Sequence, residues 1–571
     1  MTWSPLPVPQ RIIACERPFS FYFGLIEPFW KVGDPHEAPL HRLATLARKQ
    51  GAKALIIEDA SGNPCVIDEV NAIDAHFGHG GAAECVTLSF LTEIPQGDDI
   101  VTVSAKSLIG QCTLINYRTA TDTAFKLTYI LEALFATPSL NGKKALLNNF
   151  IFAEGTFEVP VLGRSFKLAG VCYAQQNSVT SVCAHVSIRM VERTLFPTRE
   201  ATSSVAVNTL LGETVPSKGL FPEDIATALE KLTGHQVAHI DCAKLEPSQY
   251  VSILTAAADS GEIALLIFKT GAERPPAPLC TIDEAPQAGS ASPMEAVAGP
   301  TETALFAEPE EGKGEDHVVV GFGYTRNSDE WRPLAIPTYT GHKPSLYRPA
   351  SMWVDHFVIH DDNFGPYLTL SSRALEGDRT VRAEKILIVR RRTCTLSADL
   401  AETVAAIFLS MTLPGQAPRV PESRWLDLVT RYRGAFVLRP VLVTRQEYRD
   451  HVNAMAGHDA SQLEHKLTTE FDILPDLMWM VEFSLPDLFT GNRAKLGEVL
   501  IDANVKEDQA LDTHAIRGAR LPGRLILSEP VPANGAPQPT DLAKKYGAAT
   551  WDVPLDSHTT MFMRKQQDHL W

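Results

Sequence analysis

The stretch Tyr173–Met190, YAQQNSVTSVCAHVSIRM, constrains this chain more than any other. Its polar, turn-prone first half gives way at Cys183 to a helix-compatible run. A thiol that opens a helix sits in the positive end of the macrodipole, which favours thiolate over thiol. Thiolate is the nucleophilic form. Gln175 and Gln176, a few residues upstream, offer amide donors for a developing oxyanion. A fold built on this stretch has to bring a base to the thiol, and an orienting group to the base.

At 571 residues the chain is too long for one core, so roughly two to four domains are expected. The net charge of -16 argues against nucleic acid as a partner. No apolar window long enough to span a membrane is free of charge, so no membrane partner is expected. The Pro-rich N-terminus lacks the apolar stretch of a secretory signal. Nine cysteines, an odd number without CxxC pairs, suit neither a zinc ribbon nor a disulfide framework. Free thiols in a cytoplasmic, reducing compartment are the expectation.

The patterning predicts an α/β (α+β) multidomain protein in three parts. Residues 1–155 read as a mixed α/β domain, with helices at Leu40–Lys49 and Thr123–Phe135 and strands at Ala54–Glu58, Cys85–Leu91 and Leu108–Tyr117. GHGG at Gly78–Gly81 lacks the Lys and Ser/Thr of a phosphate loop and reads as a turn. Residues 156–392 begin with strands Thr156–Leu162 and Phe166–Ala174, followed by the Cys183 helix. Helices at Phe221–Leu232 and Pro247–Ala258 and strands at Val237–Asp241 and Glu262–Lys269 come next. A Pro-, Ala-, Gly- and Glu-rich insertion covers about 274–316 and is expected to be irregular. Strands resume at His317–Tyr324, Phe357–His360 and Lys385–Val389. Residues 393–571 read as a further mixed α/β domain. Its helices are expected at Ala398–Met411, Glu422–Tyr432 and Gln446–Ala454, with strands at Ala435–Thr444, Trp479–Leu485 and Gly497–Ile501. The tail from Pro530 is loop-rich.

His317 is the expected base, because it opens a β-branched strand directly after the insertion. The later strand FVIH runs into Asp361. If the two strands are neighbours, that carboxylate reaches the far ring nitrogen of His317. Blander readings cover the rest. His185, two residues past Cys183, points away on a helix and packs. Cys172 is core, Arg390–Arg392 is a solvated strand end, and Trp353, Trp479 and Trp551 are packing residues. DHFVIHDD offers metal donors, but on a strand His356 and His360 stand roughly 13 Å apart. No metal and no cofactor are therefore expected.

These residues resemble the papain-like cysteine peptidases related to bacteriocin-processing, double-glycine leader peptidases, over roughly 156–392. The glutamine ahead of the nucleophile is matched by Gln175 or Gln176 and the nucleophile by Cys183. FPEDIATALEKLTG matches the second helix, HVVVGFGY the base strand through His317, and VIHDDNFGP the acid strand through Asp361. The family's Cys-Gly is Cys183-Ala184 here, and its Asp-Pro is Asp361-Asp362. The resemblance implies a Cys-His-Asp triad that hydrolyses a peptide or isopeptide bond of a protein or peptide substrate through an acyl-enzyme. Two alternatives remain open: an acyl or amide transferase using the same triad, and a non-catalytic binding or scaffold protein on the same fold.

Overall fold

The structure is a computed structural model. It describes residues 2–15, 19–32, 37–97, 99–137, 149–212, 220–269, 316–326, 346–377, 383–416, 435–455, 471–486, 489, 495–510, 515–521 and 524–527. The expected insertion up to 315, the helix at Glu422–Tyr432, the tail from Pro530 and Trp551 lie outside the described residues.

Strands β1 (Ser4–Pro5), β2 (Arg11–Ala14), β3 (Ala54–Asp59), β4 (Ala82–Leu91), β5 (Leu108–Arg118) and β6 (Leu127–Phe135) belong to a first sheet. β7 (Asn149–Ile151) joins a second sheet, and β8 (Gly155–Val161) pairs with β9 (Arg164–Gly170) as a hairpin. β10 (Cys172–Tyr173) returns to the first sheet beside β6. The first sheet runs β10-β6-β5-β4-β3-β2, antiparallel throughout, with β1 added in parallel to β4.

The second sheet is formed by β11 (Gln236–Asp241), β12 (Ile263–Lys269) and β13 (Asp316–Arg326), and then by strands beyond the short β14 (Arg348–Pro349). Those are β15 (Val354–Asp361), β16 (Gly365–Ser371) and β17 (Ala383–Arg390). Its order is β11-β17-β12-β13-β15-β16, antiparallel, with β7 on β13. The third sheet joins β14 to β18 (Val437–Thr444), β19 (Leu477–Ser484), β20 (Gly497–Asp502), β21 (Ile516–Leu521) and β22 (Arg524–Leu527). Mixed helices and antiparallel sheets make this an α+β protein.

Helices α1 (Phe19–Ile26), α2 (Ala38–Lys49), α3 (Pro64–His76) and α4 (Cys183–Leu195) pack on the first sheet or between it and the second. α5 (Ser204–Leu211) and α6 (Pro222–Thr233) follow α4, and α7 (Pro247–Asp259) packs with the second sheet. α8 (Ala398–Gln416) covers the third sheet, and α9 (Arg445–Met455) follows β18.

Each sheet is covered on both faces. Val66, Val70 and Ile73 of α3 meet Cys85, Ile115 and Tyr129 on one face of the first sheet. On its other face, Val86 and Leu88 share a core with Leu43 of α2, Val186 and Ile188 of α4, and Val318 and Val320 of β13. Along β12, Ile263, Leu265 and Ile267 enter this core, while Ala264, Leu266 and Phe268 enter the one shared with α7 and the third sheet. A strand buried on both faces needs apolar residues at every position, so IALLIF is continuous rather than alternating. Each such Val, Leu or Ile contributes roughly 1.5–3 kcal/mol relative to exposure.

The same two-sided burial corrects one expectation. Leu127–Phe135 is strand β6, not part of a helix over Thr123–Phe135. It is hydrogen-bonded between β5 and β10, and its dense apolar run satisfies a helical spacing as readily as a buried strand. Arg390–Arg392 is likewise not a simple solvated end. Arg390 lies 3.6 Å from the buried Glu262, and Arg392 bonds Glu447 and the Leu442 carbonyl (2.9 Å), tying the second sheet to the third. Gly78–Gly81 is the turn from α3 into β4, closed by the Gly81 N–H donating to Asp74 Oδ1 at 2.8 Å. Among the described residues no helix is long and apolar enough to cross a membrane.

Candidate active site

Cys183 is the first residue of α4, after Val182 in extended conformation, and it is half-buried. No acidic side chain stands in the first turn, so nothing there offsets the positive pole of the helix at the thiol. Asn177 shapes the approach. Its Oδ1 accepts the N–H groups of Val179, Thr180 and Ser181 at 2.9, 2.8 and 3.1 Å. Ser178 is held in the left-handed region at φ 58°. Thr180 Oγ1 donates to Glu69 Oε2 at 3.0 Å. Glu69, buried on α3, also accepts the Ser204 N–H at 2.8 Å and lies 3.6 Å from Arg189 of α4. A carboxylate survives burial only with partners of this kind. The loop that delivers Cys183 is thus fastened to α3, through a residue the sequence alone did not single out.

β13 and β15 are neighbours, with Val320 opposite His360. That register brings Asp361 to the imidazole of His317, whose Nε2 lies 3.1 Å from Asp361 Oδ2. The Cys183 thiol is near enough to act on the ring, and with Nε2 on Asp361 it is Nδ1 that is left for the sulfur. Cys183, His317 and Asp361 therefore form one contact chain. Burial alone would lower the pKa of His317. The hydrogen bond to Asp361, the neighbouring Cys183 thiol, and the charges of Asp361 and Asp362 outweigh burial and push it up to about 10. The other oxygen of Asp361 accepts the Asn363 N–H at 2.9 Å.

The two glutamines part company. Gln175 is buried, and its Oε1 accepts the Ile130 N–H at 3.1 Å, extending the link between β10 and β6. Gln176 is less buried and donates from Nε2 to Asn363 Oδ1 at 3.1 Å. Gln176 is thus the one whose amide reaches the turn that carries Asp361.

That turn is anchored to the first sheet and α2. Arg42 donates to the Pro366 carbonyl at 2.8 Å and to the Tyr367 carbonyl. The Tyr367 hydroxyl donates to the Phe135 carbonyl at 2.9 Å and accepts the Val171 N–H at 3.0 Å. Tyr173 donates its hydroxyl to the Asp362 carbonyl at 3.0 Å. Burial pushes the Asp362 carboxyl up to about 7, against the pull of His317 and with the help of the Asp361 charge.

The remaining candidates are structural. Burial holds His360 down at about 3; its Nε2 bonds the Val171 carbonyl at 3.2 Å and its Nδ1 accepts the Tyr367 N–H at 3.0 Å. His356 sits 3.5 Å from Thr325 Oγ1. Neither joins the grouping of possible metal donors among the described residues, which is His317, Asp361 and Asp362. His185 is buried and bonded to Asn208 Oδ1 at 2.8 Å. Cys172, Trp353 and Trp479 are core residues. A cleft of about 650 Å³, lined by Glu58, Glu132, Glu158 and Arg193 among others, adjoins the far end of α4 and touches none of Cys183, His317 and Asp361. Comparison of the chain with family models, curated proteins and solved structures finds no match.

Proposed function

We propose that this chain is a papain-like cysteine hydrolase that cleaves a peptide or isopeptide bond in a protein or peptide substrate. The observation that carries the reading is the contact chain Cys183–His317–Asp361, drawn from a helix N-terminus and two neighbouring strands. His317 takes the thiol proton at Nδ1, and the sulfur attacks the scissile carbonyl carbon. The C–N bond breaks as the imidazolium returns that proton to the leaving amine. Water, deprotonated by the same ring, then hydrolyses the thioester. Asp361 holds the Nε2–H and stabilises the imidazolium. A cationic His317 beside the sulfur is the partner that a thiolate needs. The Cys183 N–H, one of the orphan donors of the helix start, and the Gln176 amide stabilise the oxyanion.

The test is iodoacetamide labelling read by mass spectrometry at Cys183, in wild type and in His317→Ala. Other cysteines supply slow controls: burial pushes Cys15 and Cys65 up to about 11, and Cys85 and Cys112 up to about 12. Cys183 should label at least about tenfold faster than these and lose that advantage in the mutant. Equal, slow labelling in both proteins would sink the reading and leave a binding or scaffold protein.

A further inference from the structure

Asp362 has no role in the reaction above, yet it stands against the base. Its side chain is 0% exposed, and neither carboxyl oxygen has a hydrogen-bond partner among the described residues. A buried carboxylate in that condition is costly unless a cation answers it. Oδ1 of Asp362 lies 3.9 Å from His317 Nε2, the nitrogen that is 3.1 Å from Asp361 Oδ2. Donor atoms of the three side chains all lie within 4.8 Å of one another. Two carboxyl groups thus converge on a single imidazole nitrogen.

The spacing suits a small dication. Zinc takes imidazole nitrogen and carboxylate oxygen at about 2.0–2.2 Å in a tetrahedron, which sets its ligands about 3.3–3.6 Å apart. The observed 3.1 and 3.9 Å bracket that edge. One nitrogen with two oxygens is a donor set for zinc or cobalt, whereas calcium asks for six or more oxygens.

We propose that His317, Asp361 and Asp362 form a binding site for a divalent transition-metal ion of the zinc class. The ion takes the place of the proton on His317 Nε2, which leaves to solvent, and both carboxylates become ligands. Nδ1 then keeps its own N–H and faces Cys183 only as a donor, so the occupied ring no longer shuttles a proton. The binding stands on the cluster alone. Its consequence for Cys183 rests on the proposed Cys–His couple.

The experiment titrates the full chain with Co²⁺, following its visible absorption, and with Zn²⁺, following heat, at neutral pH. Wild type, Cys183→Ala, Asp362→Asn and Asp361→Asn are compared, with circular dichroism confirming that each is folded. One equivalent should bind to wild type and to Cys183→Ala, and each Asn variant should weaken binding by about tenfold or more. The absence of saturable binding to wild type overturns the proposal. So does binding that needs Cys183 but survives Asp362→Asn, which would mean that the thiol and imidazole alone capture the ion. Metal-free labelling of Cys183 that ignores His317→Ala would sink the hydrolase reading and leave the metal site standing.

Discussion

Gln175 and Gln176 are adjacent in the chain and face different partners, because successive side chains of an extended segment point to opposite sides. Gln175→Ala leaves the Ile130 N–H without its acceptor inside the structure. It should lower stability by about 1–3 kcal/mol, seen as an earlier urea midpoint. Gln176→Ala, on the partly exposed side, should stay within about 0.5 kcal/mol of wild type. Equal losses in the two variants would contradict the separation. The sequence placed both amides ahead of the thiol, but only their partners, Ile130 and Asn363, distinguish them. Those partners lie far away in the chain, and spacing carries no trace of them. Glu69 escaped notice for the same reason: its meaning comes from Thr180, Ser204 and Arg189.

At the scale of elements, the turn between β15 and β16 decides where Asp361 stands. Gly365 has φ +117°, and a Cβ there would lie 2.8 Å from Cβ of Arg42 on α2. Gly365→Ala therefore combines backbone strain with a clash, at a cost of about 1–3 kcal/mol. It should also shift Asp361 and slow the iodoacetamide labelling of Cys183. Labelling at the wild-type rate in a folded Gly365→Ala protein would show that the turn does not set the surroundings of Cys183. The strands that carry His317 and Asp361 were legible because β-branched runs such as VVV and FVI have few other uses. Their adjacency was a condition in the sequence and became a fact only with the register of β13 on β15. β6 was misread because a strand buried on both faces loses the alternation that identifies a strand.

For the molecule as a whole, the sheets meet at buried charges, and these set its response to pH. Burial pushes Glu262, at the junction of the second and third sheets, up to about 7, against the pull of Arg390, Arg392 and Arg391. An unfolded glutamate gives up its proton near about 4.3. Between these values the folded state holds the proton that the unfolded state has released, so Glu262 makes stability fall as pH rises across that window. Its share is on the order of 3 kcal/mol. Glu262→Gln should flatten the decline in urea midpoint between about pH 4.5 and 7. An unchanged slope would remove Glu262 as its source.

The chain visits the second sheet at β7, returns to the first at β10, and only then delivers Cys183. This zigzag bears on inheritance. A gene fragment beginning after residue 155 would encode Cys183, His317 and Asp361, but it would strip β7 from Gly323–Thr325, leaving them only β15, and leave β10 without β6. The three residues therefore do not come as a self-contained cassette: strands from before residue 155 complete the sheets around them. Any lineage that exchanges this segment has to carry the flanking sheet along with it.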